Sequence, residues 1–107
     1  MVYVVEGDIT CEGGIVVRVS KTLESQGGTD RVRTVHYNYN AHMPGGGNIL
    51  RYDNSHLGSP DEYHRHRYDT GTWEQIGPTE IIDRDAFPTL IEMVSEVEDL
   101  VRAAGLV

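Results

Sequence analysis

The chain of 107 residues is long enough for one domain with a modest hydrophobic core, and we expect a single domain over residues 1–107. No apolar run reaches the roughly 18 residues that suggest a membrane-spanning helix, and the apolar start ends at Glu6 without a basic leader. The single cysteine, Cys11, excludes an internal disulfide and a cysteine-based zinc site. We therefore expect a cytoplasmic protein with no membrane anchor and no signal peptide.

Charge is the most unusual bulk property. Seventeen acidic residues against nine basic ones give a net charge of −8, and Lys21 is the only lysine. This composition resembles that of haloarchaeal proteins, for which molar salt screens self-repulsion because the Debye length falls to about 3 Å. The acidic excess argues against broad, non-specific nucleic-acid binding. A local basic site remains compatible with it, because several arginines are concentrated in the middle of the chain: Arg31, Arg33, Arg51, Arg65 and Arg67.

Most of the chain has the pattern of β-strands. Runs of β-branched or alternating residues are separated by breaks rich in glycine and proline, such as Pro44-Gly45-Gly46-Gly47. The patterns predict an opening hairpin, two central strands and two shorter ones. The predicted strands cover residues 2–5, 14–19, 31–40 and 48–54, the stretch around His64 and His66, and a segment around Trp73. Residues 21–30 and 55–62 are predicted to form loops.

The C-terminal segment changes to a helical period. Apolar residues recur three and four positions apart, with Asp85 as the expected N-cap and Gly105 as the residue that ends the helix. We predict a helix over residues 85–104 that packs on one face of the sheet. The expected contacts are Phe87, Leu90, Ile91, Val94, Val97 and Val101. Strands followed by such a helix predict an α+β domain with a mostly antiparallel sheet of four to six strands.

Two short segments carry the candidate chemistry. Side chains alternate in extended structure, so His64 and His66 share one face of their strand, and Arg51 and Asp53 share one face of theirs. In one antiparallel register Asp53 lies opposite His64 and Arg51 lies opposite His66. The long intervening loop permits other registers. These four residues are the candidate catalytic set.

The residue types in this set suit acid–base chemistry on a phosphate ester. A carboxylate beside an imidazole fixes its tautomer and raises its basicity, a second imidazole can act as general acid, and an arginine can hold a phosphate. The set would serve metal-independent RNA cleavage, in which the ribose 2′-hydroxyl is deprotonated and the leaving 5′-oxygen is protonated. It would serve phosphoryl or nucleotidyl transfer equally. Arg65, Arg67 and Asn54 are candidate substrate-binding residues, although an asparagine that ends a strand is also an ordinary turn residue.

The same side chains permit two other interpretations. His64, His66 and Asp53, with His56 as a further donor, could hold a divalent metal ion and leave a position for water. We expect no cofactor, because Arg51 would repel a cation. Alternatively, two exposed histidines need no function, and the domain would then be a non-catalytic module that binds another protein through its acidic surface and terminal helix.

The segment Leu50-Arg51-Tyr52-Asp53-Asn54, the His64-x-His66 pair and the aromatic-bearing C-terminal helix together resemble the TumE family. These are small toxins encoded beside a helix-turn-helix antitoxin in bacterial and archaeal toxin–antitoxin pairs. The resemblance covers most of the chain loosely and residues 49–66 specifically. It implies a toxin neutralised by such an antitoxin, and the acid–base set then makes RNA the expected substrate. The oligomeric state is left open, with a homodimer among the options.

Overall fold

The computed structural model describes residues 1–25, 31–54 and 62–106. In this part of the chain six antiparallel strands form one sheet in chain order, and one α-helix follows them. The strands are β1 Val2–Thr10, β2 Val16–Ser25, β3 Val32–His42, β4 Asn48–Asn54, β5 Tyr63–Arg67 and β6 Glu80–Ile82, and the helix is α1 Leu90–Ala103. The predicted α+β class, with a mostly antiparallel sheet and a C-terminal helix, is confirmed.

The first hairpin is longer than the sequence pattern predicted. Strands β1 and β2 pair from Val2↔Glu24 to Thr10↔Val16, and a short 3-10 turn at Glu12–Gly14 joins them. The prediction that residues 21–25 form a loop was wrong, because they pair with β1 on one side and β3 on the other. Cross-strand pairing outweighs the weak strand propensity of these residues. The rest of that predicted loop, like residues 55–61 of the second, lies outside the described residues.

The predicted strand around Trp73 was also wrong. The Asp69 carboxylate accepts hydrogen bonds from two backbone N–H groups of a turn, and Trp73 follows with a positive φ of 64°. Its side chain covers Gly46 and Gly47, where an added Cβ would come within 2.5 and 2.7 Å of Trp73 atoms. The glycines that break the chain before β4 therefore also leave room for Trp73. The last strand is instead β6.

Helix α1 packs on the face of the sheet that presents Val17, Tyr39, Ala41, Leu50 and Tyr52. The helical residues in this core are Met93, Val97 and Val101, each with no exposed surface. Packing through Val97 and Val101 was predicted correctly. The expectation for Ile91 was wrong, since its side chain is 83% exposed and Met93 takes the central position.

The ends of α1 are set by local hydrogen bonds. Thr89 is the N-cap, rather than Asp85, and forms a capping box in which its hydroxyl accepts from the Glu92 N–H and the Glu92 carboxylate accepts from the Thr89 N–H. At the other end Gly105 has a φ of 72°, and the N–H of Leu106 reaches the Val101 carbonyl, which confirms the predicted glycine stop. No helix within the described ranges is long and apolar enough to cross a membrane.

Candidate active site on the open face of the sheet

The register between β4 and β5 brings the candidate catalytic residues together. Asp53 pairs with His64, and Arg51 pairs with His66, which is one of the registers that side-chain parity permits. Leu50 and Tyr52 alternate with Arg51 and Asp53 along β4 and lie in the core beneath α1. The four candidate side chains therefore share the opposite face of the sheet.

Asp53 is the centre of the cluster. Its Oδ1 lies 3.2 Å from His64 Nδ1, and its Oδ2 lies 3.4 Å from His66 Nε2 and 2.9 Å from Arg51 Nε. The residue is only 8% exposed. A carboxylate removed from water needs compensating partners, and the guanidinium and two imidazoles supply them. One carboxylate thus orients three side chains.

The two imidazoles have different surroundings. The contact between His64 and Asp53 is made by Nδ1. His66 faces Asp53 with Nε2, while its Nδ1 lies 3.3 Å from both Gln75 Oε1 and Thr79 Oγ1. A neutral His66 can accept from the Thr79 hydroxyl, and a protonated His66 can donate to the Gln75 carbonyl oxygen. His66 therefore has partners for both of its protonation states.

An open groove of about 370 Å³ adjoins these side chains. It is lined by Asp53, His64, His66, Thr79 and Ile81. Sequence reasoning missed Gln75, Thr79 and Ile81, because they come from β6 and the segment before it, whose pairing with β5 has no local sequence signal.

The polar face continues onto β3, through two residues that the sequence patterns also failed to indicate. Asn38 pairs with Asp53, and Asn40 pairs with Arg51. The Asn40 amide donates to Asn48 Oδ1 at 3.0 Å. Strand alternation could have found both asparagines once β3 and β4 were known to be neighbours.

The candidate substrate-binding residues Arg65, Arg67 and Asn54 are not brought to this face. The two arginines alternate with the histidines and lie on the helix side, where both contact Glu80 and Arg65 also contacts Glu96. Asn54 is 2% exposed, and its amide accepts from the Tyr37 N–H at 2.6 Å and donates to the Val35 carbonyl at 3.1 Å. Their role here is to join β3, β4, β5, β6 and α1.

A contact on the helix side of the sheet also holds β4 in place. The Tyr52 hydroxyl donates a hydrogen bond to the Glu96 carboxylate of α1. Burial, together with this carboxylate, raises the pKa of Tyr52 to about 12. Because Tyr52 lies between Arg51 and Asp53 in sequence, this bond anchors the strand that carries both of them.

The alternative metal site is not supported by the described residues. Within them no three His, Cys, Asp or Glu side chains are arranged to hold a metal ion. Of the proposed ligands, His64 and His66 both contact Asp53. The Arg51 guanidinium pairs with the same carboxylate, which would have to bind the cation. The fourth donor considered, His56, lies outside the described residues.

Comparison with known proteins adds no relative. No protein-family model, no curated protein and no solved structure matches this chain. The resemblance to TumE toxins therefore stays a prediction that depends on the motif residues, and the function has to be argued from the site.

Proposed function

We propose that this protein is the toxin of a toxin–antitoxin pair and that it acts on RNA in the cytoplasm by acid–base chemistry. The observation that carries the proposal is the contact of one buried carboxylate, Asp53, with the imidazoles of His64 and His66 beside an open groove. Structural histidines need no such shared carboxylate. Two differently held imidazoles are what a reaction with one proton removal and one proton delivery requires.

In the proposed reaction His64 is the general base. With Nδ1–H directed at Asp53, the basic lone pair of the neutral ring is on Nε2, and this atom takes the proton of the ribose 2′-hydroxyl. The 2′-oxygen attacks phosphorus and forms a cyclic 2′,3′-phosphate, while the bond to the 5′-oxygen breaks. His66 returns a proton to that oxygen. Arg51, whose side chain is 39% exposed, stabilises the charge on the phosphate.

A protein partner has a place to bind at the edge strand β1. Val2, Val4 and Val5 are 63, 63 and 49% exposed, and no strand of the described residues pairs with the outer edge of β1. Exposed apolar edge strands attract a further strand from another chain. We propose that the partner is a helix-turn-helix antitoxin, and a reading frame of that kind directly beside this gene would support the pairing.

The test is inducible expression of the wild type and of His64→Ala and His66→Ala, with growth and RNA integrity followed over time. We expect the wild type to arrest growth and degrade RNA, and either substitution to lower the cleavage rate by about 10²–10⁴-fold. His36→Ala is the matched control, because His36 is an exposed histidine on β3.

Three outcomes separate the alternatives. Wild-type protein that is not toxic and leaves RNA intact would support the non-catalytic binding module. Cleavage by the purified protein that stops with a chelator and returns with a divalent ion would support the metal-dependent nuclease. Equal activity of the wild type and both histidine variants would contradict acid–base catalysis at this site.

A further inference from the structure

Eight of the nine basic side chains divide into two groups. Five arginines pair with acidic side chains: Arg18, Arg51, Arg65, Arg67 and Arg102. By contrast, no ion pair joins Lys21, Arg33 or Arg84 to another described residue. In a chain with almost twice as many acids as bases, three cations that have no acidic partner among the described residues need an explanation.

These three cations line two adjoining grooves on the helix side of the sheet. We call the two together the aromatic groove. The first part, of about 360 Å³, includes Lys21 and Arg84, and the second, of about 540 Å³, includes Arg33 and Arg84. Both parts share Tyr37, Tyr63 and Arg84. Among the described lining residues Glu62 is the one acid, so the groove is a basic region on an acidic protein.

Aromatic rings supply the walls of the groove. Phe87 lies at 5.2 Å between ring centroids from both Tyr37 and Tyr63. The Lys21 ammonium group lies over the rings of Tyr37 and Tyr39, at 5.9 and 5.7 Å from their centroids. Tyr37 and Tyr63 are only partly buried, so they are available for contact as well as for packing.

The N-terminus of α1 borders the first part of the groove. Pro88, Thr89 and Leu90 line the first part of the groove. The capping box uses both the hydroxyl and the N–H of Thr89, and its Glu92 carboxylate offsets the helix dipole there, so the positive charge of the groove comes from its side chains.

We propose that the aromatic groove binds one or two nucleotides of single-stranded RNA, with phosphates near Lys21, Arg33 and Arg84 and bases against Tyr37 and Tyr63. Aromatic rings beside cations are the common way in which proteins hold unpaired bases with their phosphates. This inference rests on the proposed function for the choice of RNA. It assigns the groove to binding, because the acid–base cluster lies on the other face of the sheet.

The experiment measures the fluorescence anisotropy of a labelled oligoribonucleotide with 2′-O-methyl groups throughout, which cannot be cleaved through its 2′-oxygen. The test variant is the double substitution Lys21→Gln/Arg84→Gln in the full chain. The control is Arg18→Gln/Arg102→Gln, which removes the same charge from two exposed, paired arginines. Thermal unfolding checks that each variant is folded, and Arg33→Gln serves if the test variant is not.

We expect the groove variant to bind about tenfold more weakly and to lose about one to two units of salt slope, whereas the control keeps the wild-type affinity. An abasic oligonucleotide of the same length should also bind more weakly, because stacking is lost. Equal binding of the groove variant and the control would overturn the proposal. Equal binding of the abasic probe would overturn a nucleotide site in favour of a general anion site.

The two proposals can fail separately. The variant His64→Ala/His66→Ala should lose cleavage and keep the affinity for the uncleavable probe. If the wild type cleaves RNA but the groove substitutions do not weaken binding of the probe, the groove proposal fails and the catalytic proposal stands. If the groove substitutions weaken binding but the wild type cleaves no RNA, the catalytic proposal fails and the groove proposal stands.

Discussion

Asp53 and His64 lie directly opposite each other on β4 and β5, and the Asp53 carboxylate is 3.2 Å from His64 Nδ1. This relationship depends on register, because a slip of one residue would move either side chain to the other face of the sheet. The same register places His66 opposite Arg51. Four residues from two separate chain segments thereby form one cluster.

The first prediction concerns the charge at the centre of this cluster. Asp53→Asn keeps the shape of the side chain and removes the negative charge that orients both imidazoles and Arg51. We expect RNA cleavage to fall by about 10²–10⁴-fold, which a rate assay on purified protein measures. Asp8→Asn, at an exposed position of β1, is the control. Wild-type activity in Asp53→Asn would contradict the role of the carboxylate.

The second prediction concerns the face of α1 that meets the sheet. Met93→Ala removes a fully buried side chain, so the free energy of unfolding should fall by about 2–5 kcal/mol. Ile91→Ala, at a position that is 83% exposed, should change it by less than about 0.5 kcal/mol. Denaturant unfolding monitored by circular dichroism compares the two. Equal losses would mean that the helix is turned differently or that a second chain covers Ile91.

The third prediction concerns Tyr52 at high pH. Folding raises the pKa of this phenol from about 10 to about 12, so the folded state favours the protonated form. Its contribution to stability, on the order of 2 kcal/mol, is complete below pH 10 and is lost as the pH rises through 12. The stability difference between wild type and Tyr52→Phe should therefore shrink over this window.

Unfolding curves in denaturant at several pH values measure that difference. Tyr3→Phe, on the exposed part of β1, is the control and should show no such trend relative to wild type. A constant difference between wild type and Tyr52→Phe across the window would contradict the assigned hydrogen bond to Glu96.

The fourth prediction concerns salt. Exposed ion pairs such as Arg18 with Glu6 contribute about 0–1 kcal/mol each, so little stability is lost when salt screens them. Screening of the repulsion within a net charge of −8 should outweigh that loss. We expect the Tm to rise from about 0.1 M to about 2 M KCl. A Tm that is flat or falls over this range would contradict an adaptation to a saline cytoplasm. Binding of a basic protein partner would then be the explanation for the acidic surface.

The candidate site was predictable in part because alternation is a local property of strands. His64 and His66, like Arg51 and Asp53, had to share a face wherever their strands lay. The same alternation placed Arg65 and Arg67 on the other face, where they pair with Glu80. The partners Gln75 and Thr79 were not predictable, because nothing local to these residues indicates that β6 pairs with β5.

The sequence by itself determined the class of the fold, the extent of β4, the apolar period of the helix and the glycine that ends it. These are consequences of side-chain period and backbone preference, which act within a few residues. Only the tertiary structure decided the register between β4 and β5, the orientation of α1 with Met93 inward and Ile91 outward, and the gathering of Lys21, Arg33 and Arg84 around one groove. Those depend on which strands are neighbours and how the helix packs, and the free energies that select them come from contacts between distant segments.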